Sequence, residues 1–123
     1  MEQPLPTGKI LATSRHERSR GNIMVIGTLR ISLRLAENHS LKGKRKVIKS
    51  LIAQVRNRFN VSASEVALND AWHEAEIGIA AVGNSESFIN SVLDKVMDFV
   101  ERTTPAEVMR YQIELVHMGA DTV

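Results

Sequence analysis

The chain has 123 residues, 43% of them hydrophobic and 24% charged, which fits one globular domain with a single core and excludes a disordered or multidomain chain. No apolar run reaches the roughly 18 residues that cross a bilayer, and residues 1–22 are polar and Pro-containing, without the basic-then-apolar order of a secretory signal. There is no cysteine, so disulfides and thiolate metal sites are excluded and a reducing cytoplasm is the expected compartment.

The net charge of +2 hides a segregated field. Residues 1–22 supply the whole excess through Lys9, Arg15, Arg18 and Arg20 against Glu2 and Glu17. The remainder carries twelve bases and twelve acids, and seven of those bases fall in residues 42–58 without one acid among them. Clustering of this kind bears on partners more directly than net charge does.

In chain order, residues 1–22 show neither helical nor strand periodicity and are punctuated by Pro4, Pro6, Gly8 and Gly21. They are expected to form a flexible extension, with a mobile basic arm as the alternative. Residues 24–36 alternate strictly. Val25, Gly27, Leu29, Ile31, Leu33 and Leu35 point one way, and Thr28, Arg30, Ser32 and Arg34 the other, the pattern of a half-buried strand. Ser40 is a candidate N-cap for a helix ending near Asn60, whose apolar face is Val47, Ile48, Leu51, Ile52, Val55 and Phe59.

Residues 61–68 fit an edge strand, and Asn69-Asp70-Ala71 supplies turn residues. Residues 72–82 form the next strand, with Ile77 and Ile79 on one face and Glu74 and Glu76 on the other. Ser85 caps a second helix with Phe88, Ile89, Val92, Leu93, Val96, Phe99 and Val100 as its stripe and Asp94, Asp98 and Glu101 outside. Residues 108–118 give a last strand with Tyr111, Ile113 and Leu115 inward.

The order strand, helix, strand, strand, helix, strand predicts an α+β fold: a ferredoxin-like split βαβ two-layer sandwich (βαββαβ). It consists of an antiparallel four-stranded sheet with two helices on one face, joined by right-handed crossovers. The expected boundaries are an extension over 1–22, a domain over 23–118 and a short tail over 119–123.

Several stretches also carry a family resemblance. Val25-Ile26-Gly27, Ser40-Leu41-Lys42-Gly43-Lys44-Arg45-Lys46-Val47-Ile48-Lys49-Ser50-Leu51, Arg58-Phe59-Asn60-Val61-Ser62, Asp70 and Trp72 before Ile77-Gly78, and residues 92–101 resemble the YlxP-like family. This is a bacterial domain of unknown function, and the resemblance spans about residues 24–116, with Ser-Leu-Lys-x-Lys-Arg its most specific part. It implies a ferredoxin-like fold and a loose association with translation, because members are often encoded near translation and ribosome-maturation factors. It implies no accepted activity. The extension before Met24 departs from the family pattern and inherits no role.

The foremost candidate site is the basic helix, with Lys42, Lys44, Arg45, Lys46, Lys49 and Arg56 as phosphate- or RNA-binding residues. On a wheel of 100° per residue, Lys42, Arg45, Lys46, Lys49 and Arg56 fall within about 100° of one another. Lys42, Lys44 and Arg45 crowd the first turn, where the helix dipole disfavours cations by about 0.3–1 kcal/mol each. Gly43 occupies the position where a capping carboxylate would ordinarily stand. An external phosphate, aided by free N–H groups at that end, would resolve the conflict; a solvated charged face is the plainer reading.

On the open face of the sheet, Arg30 and Arg34 are expected near Glu74 and Glu76, as cross-strand ion pairs rather than as a dimer interface. That face is expected to offer mainly charges and small residues, not the stacking aromatics of an RNA-recognition motif. Trp72 reads as an anchor half-covered by a loop rather than as a ligand platform, and His39 as a loop histidine without a task.

His16, His39, His73 and His117 fall in different elements with no metal-ligand spacing. There is no glycine-rich phosphate loop and no nucleophile elbow. Acylphosphatases share this topology but use a glycine-rich loop with a catalytic arginine, which Asn38-His39-Ser40 does not match. No enzyme activity, cofactor, metal or membrane partner is therefore expected. The leading expectation is a cytoplasmic protein that contacts RNA, ribosomal RNA included, through its first helix. The alternative is a homo-oligomer assembled by charge complementarity or through the open sheet face.

Overall fold

The computed structural model describes residues 8–11 and 23–119. Its elements are β1 (Gly8–Leu11), β2 (Ile23–Arg34), α1 (Leu41–Arg58), β3 (Ser62–Ala67), β4 (Glu74–Gly83), α2 (Glu86–Thr103) and β5 (Glu107–Gly119). Among the described residues the strands form one sheet in the order β1-β5-β2-β4-β3. Each neighbouring pair among β2 to β5 is antiparallel, so the predicted ferredoxin-like sandwich is the fold of the domain.

The extension differs from expectation at four residues. Gly8–Leu11 pairs in parallel with β5, with Gly8 opposite Gln112 and Leu11 opposite Leu115. So short a strand carries too few alternations to be seen as periodicity. Residues 1–7 and 12–22, where the rest of the flexible extension was expected, and residues 120–123 of the tail lie outside the described residues.

The alternation of β2 is borne out residue by residue. Val25, Leu29, Ile31 and Leu33 are buried, whereas Thr28, Arg30 and Arg34 are exposed. Ala75, Ile77, Ile79 and Ala81 of β4 and Ile113 and Leu115 of β5 complete the inner face of the sheet. From α1, Ile48, Leu51, Ile52 and Val55 close over it, and from α2, Ile89, Leu93, Val96, Met97, Phe99 and Val100. Phe59 meets Phe99 edge-on at 5.7 Å between ring centres, joining the end of α1 to α2.

Gly27 sets how closely α2 approaches. A Cβ at this position would lie 2.5 Å from Ile89 Cγ2 and 2.8 Å from Leu93 Cδ1, so a side chain here must displace these two core side chains of α2. Overpacking of this kind costs about 1–3 kcal/mol. The variant Gly27→Ala is expected to lower the urea midpoint accordingly with little change in the slope of the transition.

The outer face of the sheet carries one of the expected cross-strand ion pairs, Arg30–Glu76, whereas Arg34 forms none among the described residues. Arg34 is opposite Glu74 and Ser32 opposite Glu76 in register, and Arg30 Nη2 lies 2.6 Å from Glu76 Oε1. Ser32 Oγ donates to the other oxygen of Glu76. One end of this face departs from expectation. Met24 stands opposite Met118, and Ile26 lies between Val82 and Val116. Met24, Val82, Val116 and Met118 are all exposed, Val82 by 61%. The face is thus apolar at one end and charged at the other.

Candidate nucleic-acid interface

Helix α1 starts where Ser40 adopts an extended backbone and its Oγ accepts from the Gly43 amide at 2.9 Å. Asn38 reinforces this start. Its Nδ2 donates to the Ser40 carbonyl at 2.6 Å and to the Trp72 carbonyl at 2.8 Å. Gly43 is what lets Asn38 sit there, since a Cβ at 43 would stand 2.5 Å from Asn38 Oδ1. The glycine at the capping-box position therefore seats a neighbouring side chain. The phosphate cup expected at this helix end is partly filled by the chain itself.

The six predicted basic residues divide into three kinds. Lys42, Arg45, Lys46 and Lys49 are exposed along the outward face of α1. Among the described residues no carboxylate lies within 4.0 Å of Lys42, Lys46 or Lys49, and Arg45 has only Asp70 at 3.9 Å, both side chains well exposed. Such a contact is screened by solvent and leaves the guanidinium available. Arg56 is exposed but engaged, its Nη2 donating to the Ala63 carbonyl of β3 at 2.7 Å. Arg58, outside the predicted set, stands 5.0 Å above the Phe99 ring as a cation–π contact.

Lys44 is a correction. It is 0% exposed, and its ammonium lies 2.8 Å from Glu65 Oε2. The same group donates to the carbonyls of Leu68 at 2.7 Å and Asn69 at 3.2 Å. It cannot reach a phosphate outside the protein. The physical reason is its place on the wheel, since Lys44 stands one turn before Ile48 on the buried stripe of α1. Burying an ammonium is tolerable only when it is paired and hydrogen-bonded, and all three partners are supplied by β3 and the loop that follows.

That loop contains the turn expected at Asn69-Asp70-Ala71. Leu68 has a φ of 63°, the left-handed region that a branched side chain rarely occupies. The Ala71 amide returns to the Leu68 carbonyl at 3.0 Å. Two residues on, the His73 carbonyl accepts from the Leu35 amide at 2.7 Å, and His73 Nε2 meets the Asn38 carbonyl at 2.8 Å. The loop is held against the start of α1 from several sides. It carries Trp72, which is half-covered as expected, with 51% of its surface exposed.

The charges on the two helices are segregated. The first turn of α1 holds no acid, while α2 presents Asp94, Asp98 and Glu101 outward, Asp98 pairing with Arg102 at 3.0 Å. The helical layer is thus basic on one side and acidic on the other. Among the described residues no helix is long and apolar enough to cross a membrane.

Over 62 residues the chain is 42% identical to the uncharacterized protein YlxP of Bacillus subtilis (strain 168), a match covering 50% of this chain and 67% of that one. The family described as "Protein of unknown function (DUF503)" matches residues 26–113, from the first long strand through both helices into the last strand. The chain belongs to the DUF503 family.

Proposed function

We propose that this protein binds RNA in the cytoplasm, without catalysis or a cofactor, through the outward face of α1. The observation that supports this reading is the row Lys42, Arg45, Lys46 and Lys49: exposed, free of neighbouring acids on the helix, and nearly free of ion pairs among the described residues. The start of the row lies at the positive end of the helix dipole, where cations oppose stability unless something outside neutralises them. Phosphates do so, and contacts of this kind confer affinity without sequence preference. Ribosomal RNA is the first substrate class to test, given the association with translation that the family resemblance implies. The test is binding of RNA over a salt series by the native chain and by the triple variant Lys42→Ala, Arg45→Ala, Lys49→Ala. Equal affinity and equal salt dependence of the two would overturn the reading.

A second reading, self-association, is favoured by the apolar end of the open sheet face, where Met24, Val82, Val116 and Met118 stand exposed together. Sheet-to-sheet association would survive high salt and be abolished by Val82→Glu. Association between the basic α1 and the acidic α2 of another copy would dissolve in high salt. Light scattering at low and high salt, without nucleic acid, distinguishes the two, and a monomer under both conditions would sink this second reading.

A further inference from the structure

We infer that Trp72 is a base-stacking platform for single-stranded RNA whose phosphates lie on α1. The inference rests on the RNA-binding reading above and adds a second contact of different chemistry.

A lone tryptophan is normally spent on burial, because its ring has a large apolar area to remove from water. Trp72, the one tryptophan of the chain, is about half exposed although its backbone is well fixed. Asn38 Nδ2 holds its carbonyl, the neighbouring His73 is bonded through both carbonyl and ring, and Lys44 anchors the loop at Leu68 and Asn69. The ring is thus presented to solvent on a short, fastened loop beside the first turn of α1. A platform for a flat ligand needs this combination, since a ring that must first be ordered gives back part of the stacking energy.

The surroundings fit a nucleobase. An open cleft of about 490 Å³ borders the ring, lined by Arg34, Ala36, Ala71, Trp72, His73 and Glu74. Arg34 is exposed and forms no ion pair among the described residues, so its guanidinium is available to a base or a phosphate at the mouth of the cleft. Asp70, in the same loop, lies 3.9 Å from Arg45, which places the loop next to the basic row. An aromatic face next to a track of cations is the arrangement that binds single strands, in which bases stack on the ring while phosphates follow the charges. Duplex RNA keeps its bases stacked on one another and offers the ring nothing.

The solitary tryptophan makes the test direct. The full chain is titrated with single-stranded oligoadenylate, with an RNA duplex and with inorganic polyphosphate, following tryptophan fluorescence and, in parallel, binding heat. The expected result is that all three bind but only the single strand quenches the emission. Trp72→Ala should lose about tenfold in affinity for the single strand and keep its affinity for polyphosphate, and Trp72→Phe should recover part of the loss. Binding of the single strand without quenching, and with equal affinity in Trp72→Ala, overturns the platform and leaves the α1 reading standing. Failure of all three polyanions to bind removes the α1 reading and the platform with it. Quenching by polyphosphate equal to that by the single strand also overturns the proposal, since it would trace to charge rather than to a base.

Discussion

Replacing Lys44 with methionine is expected to destabilise the fold by about 3 kcal/mol, within the range for removing one partner of a buried ion pair. The side chain is wholly buried, and methionine, unbranched and one atom shorter, keeps most of its packing while deleting the charge. What remains is the Glu65 carboxylate, 16% exposed, without its counter-ion, and the carbonyls of Leu68 and Asn69 without their donor. For a domain of about 100 residues the loss corresponds to a melting temperature lower by about 12–24 °C. The pair variant Lys44→Met with Glu65→Leu is expected to recover much of the difference, because the stranded charge is gone. An effect of Lys44→Met within about 0.5 kcal/mol, the scatter typical of a surface substitution, would show that the lysine is not held as described.

The triple variant Lys42→Ala, Arg45→Ala, Lys49→Ala should behave in the opposite way. All three side chains are exposed and contribute nothing to the core. Their loss is expected to leave stability unchanged or slightly raised, since Lys42 near the positive helix end costs about 0.3–1 kcal/mol. Function should suffer instead. If each cation neutralises one phosphate of a single strand, the slope of log affinity against log salt falls by about 2 in magnitude, at about 0.7 per contact. Affinity at low salt then drops steeply while affinity at high salt converges on the native value. The two variants separate a basic residue that holds the protein together from basic residues that face outward, although both kinds lie in one short run of sequence.

That separation was partly legible in the sequence. The series Lys44, Ile48, Leu51, Val55 keeps helical spacing, and the wheel that grouped Lys42, Arg45, Lys46, Lys49 and Arg56 left Lys44 out. The burial was in the pattern; the partners were not. Glu65 is 21 positions away in β3, and no periodicity says that the edge strand brings its carboxylate under the helix. The strands and helices were readable because each has one apolar face with the proper repeat, and the cross-strand pair Arg30–Glu76 followed from the pairing of β2 with β4. Gly8–Leu11 was not readable, since its place in the sheet comes from β5 and not from its own pattern. The setting of Trp72 was likewise hidden. It depends on the Asn38 side chain and on a left-handed Leu68, both tertiary facts.

The edge strand β3 has a consequence for colloidal behaviour. A sheet that ends in a long, flat, unoccupied strand invites further strands to add and grows into fibres. Here the last strand has six residues, and its register slips between Glu65 and Ala67. One of its carbonyls is already taken by Arg56, and its glutamate is drawn toward Lys44. A kinked, short and partly occupied border makes a poor template, so concentrated solutions of the native protein should resist amyloid-type polymerisation at that margin.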